Sequence, residues 1–324
     1  MTAQPLTEAS PAACGDEDGR ARLDLFRSER ARLRALAYRM TGSVSDAEDI
    51  VQDAWLRLTR IDPQAIEAPR AFLTTLVTRL ALDRLRSARH TRERYVGLWL
   101  PEPEVSHWDQ ASWADGPPDS LAERDAVPFA MLLLLETLTP EQRAVFVLRE
   151  AMDLDHGEIA AILGKTPEAC RQILRRARAR IAEQGPATTV RHPPARSGIA
   201  AAGRKLAEAF AEASARRDYA GIVALLGEQA EWLSDGGGVV RTARNRLVGP
   251  DRIARFLIGI QRKYDTTLEM VPVLVNGGPG LMTSLNGTFR SIIGLEVADG
   301  RILRLFQVLN PEKLRHLETA AASG

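Results

Sequence analysis

Apolar residues recur every three or four positions through three segments of the first hundred residues, a period typical of amphipathic α-helices. The segments are LDLFRSERARLRALAYRMTG, DAEDIVQDAWLRLTRI and PRAFLTTLVTRLALDRLRSARHTRERY. Gly42 is expected to end the first helix, Ser43 or Ser45 to cap the second, and Pro69 to start the third. Acidic residues crowd the first turn of the second helix, and the third helix becomes basic beyond Arg79.

The last third of the chain has a mixed pattern. Two helical segments, GIAAAGRKLAEAFAEASARR and DYAGIVALL, precede EQAEWLSDGGGVVRTA, which predicts a strand, a glycine turn and a second strand. The helix GPDRIARFLIGIQRKY is followed by four strand-like runs, TTLEMVPVLV, GLMTSL, GTFRSIIGLEV and RILRLFQVL, separated by turn signals. We expect a C-terminal α+β cone in which helices and a curved antiparallel sheet enclose a pocket.

Breaks in composition divide the chain into all-α and α+β parts. The expected boundaries are a disordered start at 1–20, a helical domain at 21–96, a Trp/Pro-rich linker at 97–120, a second helical domain at 121–182, a linker at 183–198, the α+β domain at 199–318 and a tail at 319–324.

The segment HGEIAAILGKTPEACRQILRRARARI, residues 156–181, predicts a helix–turn–helix. A short helix ends at Gly164, and Thr166 with Pro167 opens a second helix. Helical periodicity places Ala169, Cys170, Ile173, Leu174, Ala177 and Ile181 on one face, and Glu168, Arg171, Gln172, Arg175, Arg176 and Arg178 on the other. Arginine and glutamine are suited to reading bases in the major groove, so we predict that this segment binds DNA.

Composition limits the other possibilities. The 324 residues carry a formal charge of only +1, so affinity for nucleic acid must come from local patches. Two cysteines and five scattered histidines predict no metal site, no disulfide framework and no cofactor. The run FAMLLLL is too short to span a membrane and is expected to be a buried helix. We expect a cytoplasmic protein without membrane contact.

The two helical domains resemble a known pair. DAEDIVQDAWLRL, PRAFLTTLVTRLALDRLRSAR and the segment from LTPEQRAVFVLRE to the helix–turn–helix resemble regions 2 and 4 of extracytoplasmic-function (ECF) RNA polymerase sigma factors, in the sigma-70 superfamily. YVGLWLPEP, DGGG at 235–238 and NPEKL at 310–314 resemble the subgroup with a fused C-terminal SnoaL-like domain, which is taken to regulate the sigma factor in cis.

This resemblance implies roles for particular residues. The helix that docks on the β′ clamp of core RNA polymerase would use Asp46, Glu48, Asp49, Gln52, Asp53 and Trp55. Opening of the −10 element would use Arg79, Asp83, Arg84, Arg86, Ser87, Arg89, His90 and Arg92. Reading of the −35 element would use Lys165, Thr166, Glu168, Arg171, Gln172, Arg175 and Arg176. Interdomain regulation would use Trp99, Leu100, Pro101, Glu102, Pro103, Asp235, Gly236, Gly237, Gly238, Asn310, Pro311, Glu312, Lys313 and Leu314.

The same resemblance implies further partners and shows two departures. Besides the β′ clamp, the β flap of core polymerase and promoter DNA are expected partners, and the free protein is expected to be a monomer. Most such sigma factors have asparagine where this chain has Arg79. A basic residue is expected where Val239 follows the glycines.

Three tryptophans in the linker, Trp99, Trp108 and Trp113, suggest docking surfaces, because exposed tryptophan is unfavourable. We hypothesise that WLPEP packs against the C-terminal domain or the DNA-binding domains and sets their spacing.

Catalysis by the C-terminal domain is not expected, although the cone also occurs in isomerases and cyclases. Asp235, Glu231, Tyr264 and Asp265 are candidate pocket acids or bases, but no His–Asp or Tyr–Asp pair has a useful spacing. Binding of a small molecule in the C-terminal pocket is left open. The main alternative is a one-component helix–turn–helix regulator with such a pocket, and the second is an enzyme with a DNA-binding appendage.

Overall fold

The computed structural model describes residues 12–61, 66–93, 95–106, 108, 127–183, 196–243, 245–263 and 268–321. Trp113, Tyr264 and Asp265 lie outside these ranges, as do the side chains of Arg89, His90 and Arg92.

Three helices form the first domain: α1 (Ala12–Thr41), α2 (Val44–Leu58) and α3 (Pro69–Glu93). Gly42 has a positive φ of 67°, and its amide donates to the carbonyl of Tyr38 at 2.7 Å, which ends α1. Ser43 caps α2 by accepting from the amide of Asp46. The expected boundaries at Gly42, Ser43 and Pro69 are therefore confirmed.

The first helix begins earlier than expected. Residues 12–20 belong to α1, so the prediction of a disordered segment through residue 20 is wrong for these positions.

Four helices form the second domain: α4 (Phe129–Leu135), α5 (Pro140–Glu150), α6 (His156–Leu163) and α7 (Pro167–Ala182). Reciprocal capping boxes start α5 at Thr139 and α6 at Asp155. Gly164, with a φ of 64°, ends α6, and Thr166 caps α7. The predicted helix–turn–helix is thus present.

The two helical domains share one buried core. Leu36 of α1, Val77 of α3 and Phe146 of α5 belong to the same apolar cluster. Both α1 and α3 pack on α5, and α3 also contacts α6.

The C-terminal domain has the predicted α+β architecture. Its helices are α8 (Arg196–Ala215), α9 (Tyr219–Leu225), α10 (Pro250–Lys263) and α11 (Pro311–Ala321). The sheet contains β1 (Val105–Ser106), β2 (Leu226–Asp235), β3 (Leu247–Val248), β4 (Leu268–Val275), β5 (Gly278–Leu285), β6 (Thr288–Ala298) and β7 (Arg301–Val308), in the order β1-β4-β5-β6-β7-β2-β3. Neighbouring strands are antiparallel except β2 and β7, which are parallel.

The two faces of this sheet bury different partners. One face, with Trp232 and Ile293, packs with Phe210 of α8 and Leu257 of α10. The opposite face, with Leu233 and Phe306, belongs to a cluster that includes Leu100 of the linker, Phe129 of α4 and Leu314 of α11. The second face is therefore covered by the helical part of the chain.

Three details of the C-terminal prediction are corrected. The segment after the glycines is not a strand, because the amides of Val239 and Val240 turn back to the carbonyl of Gly236. The antiparallel partner of β2 is instead β3, further along the chain. The predicted linker supplies β1, whose Val105 pairs with Val275, and α11 extends into the predicted tail.

Within the described residues, the helices are all too short or too polar to cross a membrane.

Candidate nucleic-acid interface and its interdomain contacts

Helix α7 presents the two faces that its sequence predicts. Cys170, Leu174, Ala177 and Ile181 are buried. The candidate −35 residues Thr166, Glu168, Arg171, Gln172, Arg175 and Arg176 are exposed, while Lys165 is half-buried. Burial raises the pKa of the Cys170 thiol, which fits a packing role. The geometry leaves a basic helix face available to a groove of duplex DNA.

Helix α3 carries the candidate −10 residues on its outer side. Arg79, Asp83, Arg84, Arg86 and Ser87 are exposed. Arg86 lies 3.6 Å from Asp83, one turn earlier. The described portion of this face therefore offers three arginines to a nucleic-acid backbone.

Helix α2 presents the candidate polymerase-binding side chains. Asp49, Gln52 and Asp53 are exposed, whereas Asp46 and Glu48 are half-buried. Trp55 packs its ring 5.0 Å from that of Phe26, so it also contributes to the core.

Two sets of ion pairs hold the acids of α2. Arg84 of α3 approaches Asp46 at 3.3 Å and Asp49 at 3.2 Å. Glu48 binds Arg30 and Arg34 of α1.

The candidate −10 and −35 surfaces contact each other. Nε of Arg79 donates to the carbonyl of Ile162 in α6 at 3.4 Å. Glu141 of α5 lies 3.2 Å from Lys165 and 3.9 Å from Arg86, so it joins one candidate cation of each surface. These groups are partly engaged with protein.

Arg143 is a buried residue at the interface between the two helical domains. Its side chain is buried, with Nε donating to the carbonyl of Arg39 in α1 at 3.1 Å and Nη1 binding Glu136 at 2.5 Å. The buried charge is thus paired with Glu136 of its own domain, and its Nε forms a hydrogen bond across the boundary to the first helical domain.

The linker residue Glu102 caps the start of α2. Its carboxylate accepts from Ser43 Oγ at 2.9 Å, from the amides of Val44 and Ser45 at 2.8 and 3.1 Å, and from Ser45 Oγ at 2.9 Å. A carboxylate is favourable at a helix N-terminus, so these bonds hold the linker on the candidate polymerase-binding helix.

Asp235 is the centre of a second cluster. Its carboxylate is fully buried and accepts from the hydroxyl of Tyr95 at 2.5 Å, the amide of Leu100 at 2.9 Å and Nζ of Lys313 at 2.7 Å. Lys313 Nζ lies 4.0 Å from the centroid of the Trp99 ring. Burial and the Asp235 carboxylate raise the pKa of Tyr95 well above its ordinary value.

A third contact joins the sheet directly to α1. The hydroxyl of Tyr38 donates to the carbonyl of Glu102 at 2.6 Å and accepts from Nδ2 of Asn276 at 2.7 Å. Burial raises the pKa of Tyr38 as well. Arg34 binds Glu104 at 2.5 Å, and the amide of Asn276 donates to the carbonyl of Glu104 at 2.8 Å.

We call these three contacts, centred on Glu102, Asp235 and Tyr38, the interdomain lock. Several candidate regulatory residues take part in it or pack beside it. Asn310 donates to the hydroxyl of Tyr95 at 2.8 Å, and His316 contacts the carbonyl of Pro103 at 2.9 Å. Leu100 and Leu314 are buried in one apolar cluster. Pro101 and Gly236 are also buried, whereas Pro311 and Glu312 are exposed at the start of α11.

The remaining residues that the sequence singled out have a variety of surroundings in the structure. Tyr95 and Asp235 are hydrogen-bonded although they are 140 positions apart, a pair that no spacing in the sequence marks. Glu231 pairs with Arg246 at 3.0 Å. Trp108 lies under the guanidinium of Arg204 at 5.8 Å, a docking contact with α8. Val239 is 73% exposed.

Sequence reasoning missed Tyr38, Tyr95, Glu104 and Asn276. Each acts through partners far along the chain, and no local spacing marks them. The one available signal is the position of Tyr95 and Glu104 at the two ends of the linker motif.

Comparison with known proteins agrees with this architecture. Residues 25–91 match the family model of sigma-70 region 2, and residues 129–181 match sigma-70 region 4. The ECF RNA polymerase sigma factor SigJ of Mycobacterium tuberculosis is 38% identical over 297 residues, covering 89% of this chain and 91% of that protein. The “Probable ECF RNA polymerase sigma factor SigI” of the same species is 32% identical over 308 residues, covering 92% and 97%.

A solved structure extends the likeness to the C-terminal domain. The crystal structure of M. tuberculosis SigJ aligns with a TM-score of 0.67 at 34% identity, covering 90% of this chain and 98% of that one. Two sigma-70 regions followed by a SnoaL-like α+β domain are therefore confirmed as the fold. This chain belongs to the ECF RNA polymerase sigma factors, which direct promoter recognition and transcription initiation.

Proposed function

We propose that this sigma factor is held in a closed, inactive state by its own C-terminal domain and is released when the interdomain lock opens. The observation that carries the proposal is the fully buried Asp235 carboxylate, bound at once to Tyr95, to the linker backbone and to Lys313. The C-terminal domain regulates the sigma factor through this contact, and it needs no catalysis to do so.

The geometry of promoter DNA supports a closed state that cannot initiate. The −10 and −35 elements are about 25 base pairs apart by their names, which corresponds to roughly 85 Å of duplex. Here Arg79 of the −10 surface touches Ile162 of the domain that carries the −35 surface. Domains in direct contact cannot reach both elements, so they must separate before they bind the promoter together.

Within this proposal the candidate residues keep the roles that the sequence suggested. Exposed α3 arginines hold the −10 strand, the exposed face of α7 reads the −35 duplex with the β flap beside it, and α2 docks on the β′ clamp. The linker carboxylate Glu102 caps that same α2 helix, and Leu100 of the same linker binds Asp235 and Lys313 of the C-terminal domain. The free protein is proposed to be a monomer, because its sheet face is already covered in cis.

A catalytic role for Asp235 is not supported by its environment. Its carboxylate has no exposed surface and is paired with a buried lysine, so it has no access to a substrate proton. Membership of the sigma family also removes the basis for the one-component regulator, since α2 and α3 belong to sigma-70 region 2.

A distance measurement tests the closed state. Spin labels on Ser28→Cys in α1 and Ala179→Cys in α7, both exposed positions, report the separation of the helical domains after Cys14 is replaced by serine. Electron–electron double resonance should give one short distance for the free protein and a distance longer by tens of ångströms with core polymerase and promoter DNA. Equal distances in both states would contradict the proposal.

A further inference from the structure

A cavity lies where the end of region 2 meets the glycine loop of the C-terminal domain. Residues 96–98, just after α3, form one wall, and residues 236–243, just after β2, form much of the other. Its volume is about 850 Å³, within the range of small-molecule sites. The cavity therefore has the size for an organic ligand and walls from two different domains.

The wall is aliphatic and incompletely covered. Val96 is 69% exposed and Leu98 is 38% exposed, and Val239 on the adjoining loop is 73% exposed. Aliphatic side chains in a concave site suit an apolar part of a ligand. The described lining holds mainly aliphatic side chains with the hydroxyls of Ser234 and Thr242 and no aromatic ring, which favours an aliphatic ligand body over a stacked aromatic one.

Among the described residues, one charged side chain lines the cavity. Arg241 is exposed and makes no ion pair or hydrogen bond with the part of the chain that the structure describes. The acid at the start of the same loop, Asp235, is buried and bound to Lys313, so it is not available to neutralise Arg241. A guanidinium at the rim of an aliphatic cavity complements a carboxylate.

From these observations we infer that the cavity is a binding site for an aliphatic monocarboxylate, with the apolar chain against Val96 and Leu98 and the carboxylate on Arg241. A ligand that contacts both walls binds the closed arrangement more tightly than an opened one, so it shifts the protein toward the closed state. This effect on transcription rests on the proposed function, whereas the binding itself does not.

Titration calorimetry of the full chain with sodium decanoate, below micelle formation, tests the site. We expect saturable binding at one equivalent and much weaker binding of decanol, which lacks the charge. Arg241→Gln should weaken decanoate binding roughly tenfold or more. The control Arg290→Gln removes an exposed arginine on β6 and should bind as the unmodified chain does.

A second pair of variants tests the wall contributed by region 2. Val96→Ser should weaken binding, while Val271→Ser, at an exposed valine on β4, should not. Failure of decanoate to bind, or equal binding by Arg241→Gln or Val96→Ser, would overturn the site. Because calorimetry uses no polymerase, such a failure would leave the proposed closed state standing, and the label distances test that state separately.

Discussion

The Asp235–Lys313 pair is the most deeply buried ion pair among the described residues. Its contribution to the stability of the fold depends on both partners being present. The side chain of Lys313 is 8% exposed and that of Asp235 is fully buried. Two buried ions lose their hydration, and only their mutual attraction and their remaining hydrogen bonds offset that loss. The pair therefore holds the last helix, the linker and the glycine loop together.

Loss of one partner should be costly. Lys313→Met leaves the Asp235 charge buried without its cation, and we expect a loss of about 3–5 kcal/mol in the free energy of unfolding. Urea denaturation followed by circular dichroism measures it. The control Lys205→Met changes an exposed lysine on α8 and should cost under about 0.5 kcal/mol. A loss below about 1 kcal/mol for Lys313→Met would show that the pair does not stabilise the fold.

Tyr95 should make stability depend on alkaline pH. Burial and Asp235 raise its pKa above the ordinary value of 10.0, so the unfolded chain loses this proton at a lower pH than the folded chain. The contribution is complete below about pH 10 and declines as pH rises toward the folded pKa, by about 1.4 kcal/mol per pH unit. Asp235, Lys313 and Glu312 are the charged groups around the hydroxyl.

Denaturation at a series of pH values from 8 to about 11 measures this slope. Tyr95→Phe should remove one proton from the alkaline slope. An identical slope for Tyr95→Phe and the unmodified chain would be the contrary result.

At the scale of elements, the N-terminus of α2 is capped partly by the linker residue Glu102, which lies outside that helix. Glu102→Gln retains the size of the side chain but removes its negative charge and one of the two oxygens that accept from the hydroxyl of Ser43 and the amides of Val44 and Ser45. We expect these amides to exchange with deuterium at least about tenfold faster, because a lost charged hydrogen bond is worth about 1.5–3 kcal/mol. Hydrogen exchange read by mass spectrometry checks this. Glu67→Gln, at an exposed glutamate, is the control, and unchanged exchange in Glu102→Gln would contradict the role of the cap.

Helix α7 should read DNA through its exposed basic face. Arg175→Ala in the holoenzyme should weaken binding to promoters with an intact −35 element by about 1–3 kcal/mol, and much less when that element is scrambled. Arg180→Ala on the last turn of the same helix is the matched control. Gel-shift titrations give both affinities. An equal loss on both DNAs would indicate a phosphate contact instead of base reading.

The helix boundaries could be predicted from the sequence because the residues that set them act locally. Gly42, Ser43, Pro69 and Gly164 lie at helix ends for reasons of backbone conformation and capping that act within a few residues. The second strand after the glycines was misplaced because Gly237 and Gly238 adopt positive φ and turn the chain back. The Tyr38–Asn276 contact of the interdomain lock could not be located, since these residues are 238 positions apart and only the fold brings them together.

At the scale of the whole molecule, the net charge is close to zero although the protein has basic surfaces. The closed arrangement places these basic surfaces close to acidic side chains of the protein. Glu141 lies between Lys165 and Arg86, and the acids of α2 hold Arg84. The C-terminal domain binds both the linker and α1, so it stabilises an arrangement in which the helical domains stay together. Regulation in this account is a shift between closed and open populations.

Run-off transcription with core RNA polymerase and a cognate promoter tests this claim most directly, comparing the full chain with its Tyr38→Phe/Tyr95→Phe variant. The two substitutions remove hydroxyls that contact the C-terminal domain and keep the aromatic packing, so they should weaken the lock by about 2–3 kcal/mol. The account predicts roughly tenfold or more initiation by the variant, with Tyr219→Phe unchanged. Initiation by the variant equal to or below that of the unmodified chain, at equal binding to core polymerase, would contradict it.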